Sequence, residues 1–124
     1  MAVFVELRTA LQTYLKTLHD RVYFQVAPDN ATMPYVVFDL PNSIDSGALE
    51  NFVLDIDFWD DSTDTTILET LASVVDVAMH KHTILVNNVL GTAFYRDSRL
   101  TLVDEDPRIR RRKYTYQART YQNY

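Results

Sequence analysis

Apolar and polar residues alternate strictly through the middle of the chain. Phe52, Leu54, Ile56 and Phe58 fall on one face of a strand, and Val53, Asp55, Asp57 and Trp59 on the other. Asp60, Asp61 and Ser62 then stop the alternation. Asp61, Ser62 and Thr63 each offer a short side-chain oxygen that can cap a helix start. Beyond them Ile67, Leu68, Leu71, Val74, Val75, Ala78 and Met79 recur at helical spacing. A period of two thus gives way to a period of 3.6, which predicts a strand feeding an amphipathic helix back onto its own sheet. Ile56, Phe58, Leu71 and Val75 are expected to meet in the core between them.

The same reading extends in both directions. Val3, Leu7, Leu11, Tyr14, Leu15 and Leu18 form the stripe of a first helix, with Arg8, Gln12 and Lys16 opposite. Arg21 to Val26 predicts a strand broken at Ala27-Pro28-Asp29-Asn30, and Tyr35 to Leu40 a second strand stopped by Pro41-Asn42. Pro41 to Ala48, rich in turn formers, predicts a mobile loop with Asn42, Ser43, Ile44, Asp45, Ser46 and Gly47 at its heart. After the second helix, Thr83 to Val89 suits a short strand or an extended link. Thr92 to Val103 suits a strand with Phe94, Leu100 and Leu102 on one face. Ile109 to Tyr121 suits a long closing strand with Arg110, Arg112, Tyr114, Tyr116 and Ala118 on one face. The order α-β-β-β-α-β-β with short turns predicts an α+β fold over residues 1–124. Its sheet is expected to have four or five mostly antiparallel strands, with two helices packed on one face.

A chain of 124 residues suits one domain with a sizeable core. Its lack of cysteine excludes disulfides and thiolate metal sites. With only Gly47 and Gly91, no glycine-rich phosphate loop can be built. No run of ~18 apolar residues crosses a bilayer, so no membrane partner is expected, and the first residues lack a basic-then-apolar leader. The net charge of −5 is unevenly spread. Between Arg21 and Lys81 there are eleven acids and no Lys or Arg, whereas from Lys81 onward nine Lys or Arg face four acids. If the acids at Asp55, Asp57, Asp60, Asp61 and Asp64 and the cations at Arg108, Arg110, Arg112 and their neighbours lie on opposite flanks, copies of the chain can pair them head to tail.

Two chemical alternatives stand beside that surface reading. Asp55 and Asp57 on one strand face offer oxygens to a hard cation, although no Lys or His stands beside them at a motif spacing. The run Arg108, Arg110, Arg111, Arg112, Lys113, with Tyr114 and Tyr116 after it, suits nucleic acid, but strand alternation splits it between two faces. His80-Lys81-His82 complements the negative end of the second helix, and Ser62 has no nucleophile-elbow glycines. No spacing selects a catalytic triad, and no cofactor is implied.

Several stretches in order resemble the tail-terminator or tail-completion (head–tail joining) proteins of long-tailed bacteriophages. These are Arg21-Val-Tyr, Ala27-Pro28, Met33-Pro34-Tyr35-Val-Val-Phe38, Asp55-Ile-Asp-Phe-Trp-Asp-Asp-Ser62, Tyr95-Arg-Asp-Ser-Arg99 and Asp104-Glu-Asp106. The resemblance spans nearly the whole chain and brings no catalytic residues. It implies a structural virion protein that forms a homo-oligomeric ring, commonly a hexamer, at the head-proximal end of the tail. There the ring would stop the tail tube protein, meet the head connector or stopper protein, and let DNA pass without specific binding. The protein would assemble in the host cytoplasm. Asp55, Asp57, Asp60, Asp61, Asp64, Arg108, Arg110, Arg112, Tyr114 and Tyr116 are the expected interface residues, and Asn42 to Gly47 the expected docking loop. A small metal-dependent or nucleic-acid-binding protein is the alternative.

Overall fold

The computed structural model describes residues 2–45, 50–87 and 90–122. In chain order it has α1 (Ala2–Lys16), β1 (Val22–Phe24), β2 (Tyr35–Asp45), β3 (Glu50–Asp60), α2 (Thr66–Met79), β4 (Thr83–Leu85), β5 (Leu90–Val103) and β6 (Arg110–Gln122). The six strands form one sheet in the order β1-β2-β3-β6-β5-β4. The α+β class is as expected. The sheet is wider than four or five strands, and it is mixed, because β1 runs parallel to β2 while the other neighbours are antiparallel. That parallel pair needs the chain to return after β1. It does so from Gln25, which takes a left-handed φ of 67°, to Pro34, through a cis Met33–Pro34 bond.

The alternation in β3 sets the core. Phe52, Leu54, Ile56 and Phe58 are buried toward the helices. Leu54 pairs with Tyr116 and Phe52 with Ala118 on β6, so the even residues of the closing strand share that face. Leu7, Leu11 and Leu15 of α1 and Leu68, Leu71, Ala72, Val75 and Met79 of α2 complete the cluster. The buried stripe of α2 is therefore shifted from the sequence expectation. Ile67 and Val74 face outward at 60% and 46% exposure, and the polar Asp76 turns inward instead. The start of α2 also differs. Neither Asp61, Ser62 nor Thr63 caps it. Asp64 Oδ1 accepts the Thr66 N–H at 3.0 Å and the Thr66 hydroxyl at 2.6 Å.

Two bulges correct other expectations. The ladder between β2 and β3 shifts between Asp39 and Asn42, which accommodates Pro41, and then resumes. Asn42, Ser43, Ile44 and Asp45 are therefore strand residues, paired with Val53, Phe52, Asn51 and Glu50, rather than a loop. Ser46, Gly47 and Ala48 lie outside the described residues. A bulge in β5 between Arg96 and Ser98 swaps its faces. Phe94 is buried under the helices, whereas Leu100 and Leu102, opposite Lys113 and Arg111, take the open face.

The bulges and short flanking strands leave the sheet edges unevenly covered. β4 reaches only Gly91 to Ala93 of β5, and the Arg96 N–H is taken by His80 Nδ1 at 3.0 Å. From Asp97 to Val103, β5 has β6 on one side and, among the described residues, no strand on the other. Every residue of that half-strand except Leu102 is exposed. At the opposite edge, β1 covers Val36 to Phe38 of β2 and, among the described residues, leaves the part from Leu40 to Asp45 with β3 as its one strand partner. The outer edge of β1 is occupied: Gln12 Nε2 donates to the Val22 carbonyl and the Val26 N–H to the Phe24 carbonyl, each at 2.8 Å. Among the described residues no helix is long and apolar enough to cross a membrane.

Candidate functional site

The register of β3 on β6 decides where the charges go. Asp60 faces Arg110, Asp57 faces Lys113 and Asp55 faces Thr115 across neighbouring strands. The acidic and basic clusters therefore lie side by side in one sheet and not on opposite flanks. Much of their charge is met within the chain. Arg111 Nη2 donates to Asp57 Oδ1 at 3.3 Å, Arg112 Nε to Glu69 Oε1 at 2.7 Å, and Thr115 Oγ1 to Asp55 Oδ1 at 2.8 Å. Arg108 grips Asp106 through Nη2 at 2.8 Å and Nε at 3.1 Å, and Arg110 Nη1 donates to the Pro107 carbonyl at 2.6 Å. The head-to-tail charge pairing expected from sequence loses its geometric basis.

The two faces of these strands differ. On the open face, Tyr23, Tyr35, Trp59 and Arg111 form a row across four strands. Tyr23 meets Tyr35 edge-on at 6.0 Å, Tyr35 stacks on Trp59 at 6.0 Å, and the Arg111 guanidinium lies 4.4 Å from the Trp59 ring. Such a cation–aromatic contact holds the Arg111 stem flat against the sheet. Asp57 sits beside this row, and burial pushes its carboxyl above the ordinary range despite the lowering by Arg111 and Lys113. On the helix face Asp60 is 4% exposed, with Oδ1 accepting the Asp61 N–H at 2.9 Å. Asp61 and Asp64 are exposed on the way to α2.

Tyr116 lies inside the subunit and Tyr114 is half-buried. The Tyr114 ring meets Phe58 edge-on at 5.3 Å. Tyr116 is fully buried and donates its hydroxyl to Asp76 Oδ1 at 2.7 Å, while Arg96 Nη1 donates to Asp76 Oδ2 at 2.6 Å. Burial, reinforced by the Asp76 charge, pushes the Tyr116 hydroxyl far above its ordinary pKa, so it stays a donor. This node ties α2 to β5 and β6 and escaped the sequence reading. Its signal was present: an acid, Asp76, sits among the inward positions of an apolar helix stripe, and such an acid needs partners.

Among the described residues no three His, Asp or Glu side chains gather to hold a metal. A cleft of about 510 Å³ beside the β5–β6 turn is lined by Asp61, Asp106, Arg108 and Arg110. Its cations are already bound to Asp106 and to the Pro107 carbonyl. His19 donates Nε2–H to the Pro34 carbonyl at 2.9 Å, and the His82 ring stacks on Tyr14 at 4.7 Å. What the molecule presents is surface: the free half of β5, the free end of β2, and the outer side of α2. That side carries Ile67, Thr70, Ser73, Val74 and Val77 exposed, with Glu69 as its one charge.

Comparison with known proteins agrees with a role built on surface. No curated protein matches the chain. Among solved structures, a chain described as "Virion of native gene transfer agent (GTA) particle" superposes with a TM-score of 0.65 at 19% identity, covering 98% of this chain and 92% of that one. At that identity the likeness establishes the fold. The family pattern described as "Tail completion protein gp17" matches residues 1–121. The chain belongs to the tail completion protein gp17 family, a family of structural phage tail proteins.

Proposed function

We propose that the protein forms a ring, of six copies, at the head-proximal end of a phage-like tail, where it ends the tail tube and receives the head connector. The observation that carries this reading is the family match over residues 1–121. Three features of the chain support it. Exposed apolar side chains line α2 (Ile67, Val74, Val77) and the free half of β5 (Leu100, Val103), as expected of a subunit that meets others. Most of the arginine run is held by the chain's own acceptors, which leaves little for a phosphate backbone. A net charge of −5 likewise suits a bore through which DNA slides without sticking. The protein is read as a structural component with no catalytic role. It assembles in the host cytoplasm with the tail tube protein on one side and a connector or stopper on the other.

Complementation tests this directly. A phage or phage-like particle lacking the protein should make over-long tails that never join heads, and the wild-type gene should restore both. Normal-length tails without heads would move the protein to the head side of the joint. Normal particles would remove it from the neck altogether.

A further inference from the structure

Edge strands in soluble proteins are normally blunted by brevity, proline, lysine, a bulge or a covering element. The two outer strands here obey that rule: β1 and β4 are three residues each, and β1 is also sealed by Gln12. Beyond their bulges, the free end of β2 from Asn42 and the free half of β5 do not. After its bulge, Ser98 to Val103 carries no proline, no lysine and a single charge, Arg99. Leu100 is 49% and Val103 96% exposed. A half-strand that is bare on its edge and on both faces calls for a strand to cover it.

We propose that the free edge of β5 pairs, antiparallel, with the free end of β2 on the next copy of the chain, so that the sheets join into one closed barrel. This rests on the ring reading and specifies its joint. The register supplies the occupant. β2 and β6 run one way, and β3 and β5 the other, so a head-to-tail joint sets β5 antiparallel to the neighbour's β2. Such a joint is heterologous and can close. It also keeps the helix-covered face on one side all the way round. The two free edges lie at opposite flanks and opposite ends of the sheet. Asn42 is level with Val53, Gln117 and Tyr95, whereas the middle of the free β5 edge is Leu100, level with Lys113. Asn42 and Leu100 both belong to the open face, as strand pairing requires. Joining them slips the sheet along β6 from Gln117 to Lys113, roughly 13 Å, for every four strands, roughly 19 Å of width. The resulting strand tilt is roughly 35°, at the lower end of the range in which barrels close.

The chain has no cysteine of its own, so introduced thiols report single contacts. Leu100→Cys and Asn42→Cys proteins are made separately, mixed and mildly oxidised, with mass in solution measured alongside. The expected result is a covalent dimer in the mixture and none in either variant alone. In the second arm, Leu100→Lys with Val103→Lys restores the lysines that edges normally carry. These exposed changes should leave the circular dichroism unchanged and weaken ring formation at least tenfold. A ring that forms without the cross-link and tolerates the lysines overturns this joint while leaving the ring intact. Cross-linking of Leu100→Cys alone indicates two-fold pairing of β5 with itself and overturns it too. A wild-type chain that stays monomeric at all concentrations, alone and on tails, removes the ring and the joint together.

Discussion

Tyr116 and Asp57 show how one strand pair assigns two residues to opposite fates. The Tyr116 ring fills the core and its hydroxyl shares Asp76 with Arg96. Removing only that hydroxyl leaves a buried carboxylate oxygen without its donor, a loss of about 1–3 kcal/mol. Tyr116→Phe should therefore lower the unfolding free energy by that amount in denaturant titration, with secondary structure unchanged. Asp57 belongs to the open face, and its carboxyl is raised chiefly by burial, against the pull of Arg111 and Lys113. A raised carboxyl holds its proton in the folded state at a pH where the unfolded chain has released it. Its contribution to stability is therefore full below the ordinary carboxylate pKa of about 3.9 and is lost as pH rises through the folded value. The stability of wild type minus that of Asp57→Asn should fall across this window, and an increase would show that the Arg111 pair outweighs burial.

The elements that periodicity dictates were legible from sequence, and those that irregularity dictates were not. The strict alternation of Phe52 to Phe58 and the α1 stripe at Leu7, Leu11 and Leu15 each admit one burial pattern, and the structure has it. In α2 the apolar residues are too many for one face. Ile67 and Val74 compete with Leu68 and Val75 for the core, and packing, which sequence does not show, left the first pair outside. Each bulge inserts one residue and reverses every side chain beyond it. That is why Leu100 and Leu102 parted from Phe94, and why Pro41 failed to end β2. Charge segregation was legible as composition but not as placement, because strand order brought β3 and β6 together from distant parts of the chain. The helix start was also misplaced: α2 begins at Thr66, and Asp64, not Asp61, Ser62 or Thr63, holds its first N–H, which is open to test. Asp64→Ala should lower the melting temperature by freeing the Thr66 N–H, while Ser62→Ala should leave it unchanged, as followed by thermal circular dichroism.

The molecule as a whole is organised around a strand that comes last. β6 lies between β3 and β5, although it is the final element in the chain. Its pairing joins residues as far apart as Asn51 and Arg119. The Asp76 node likewise closes only when Tyr116 arrives from the same strand. Before that point β3 has a partner on one side alone, and β5 has only the three residues of β4. The strands that precede β6 in the chain therefore complete their pairing only when β6 takes its place between β3 and β5. The same arrangement would time assembly through the proposed joint: β6 is the one described strand partner of the free half of β5, so that edge is set only once β6 is in place.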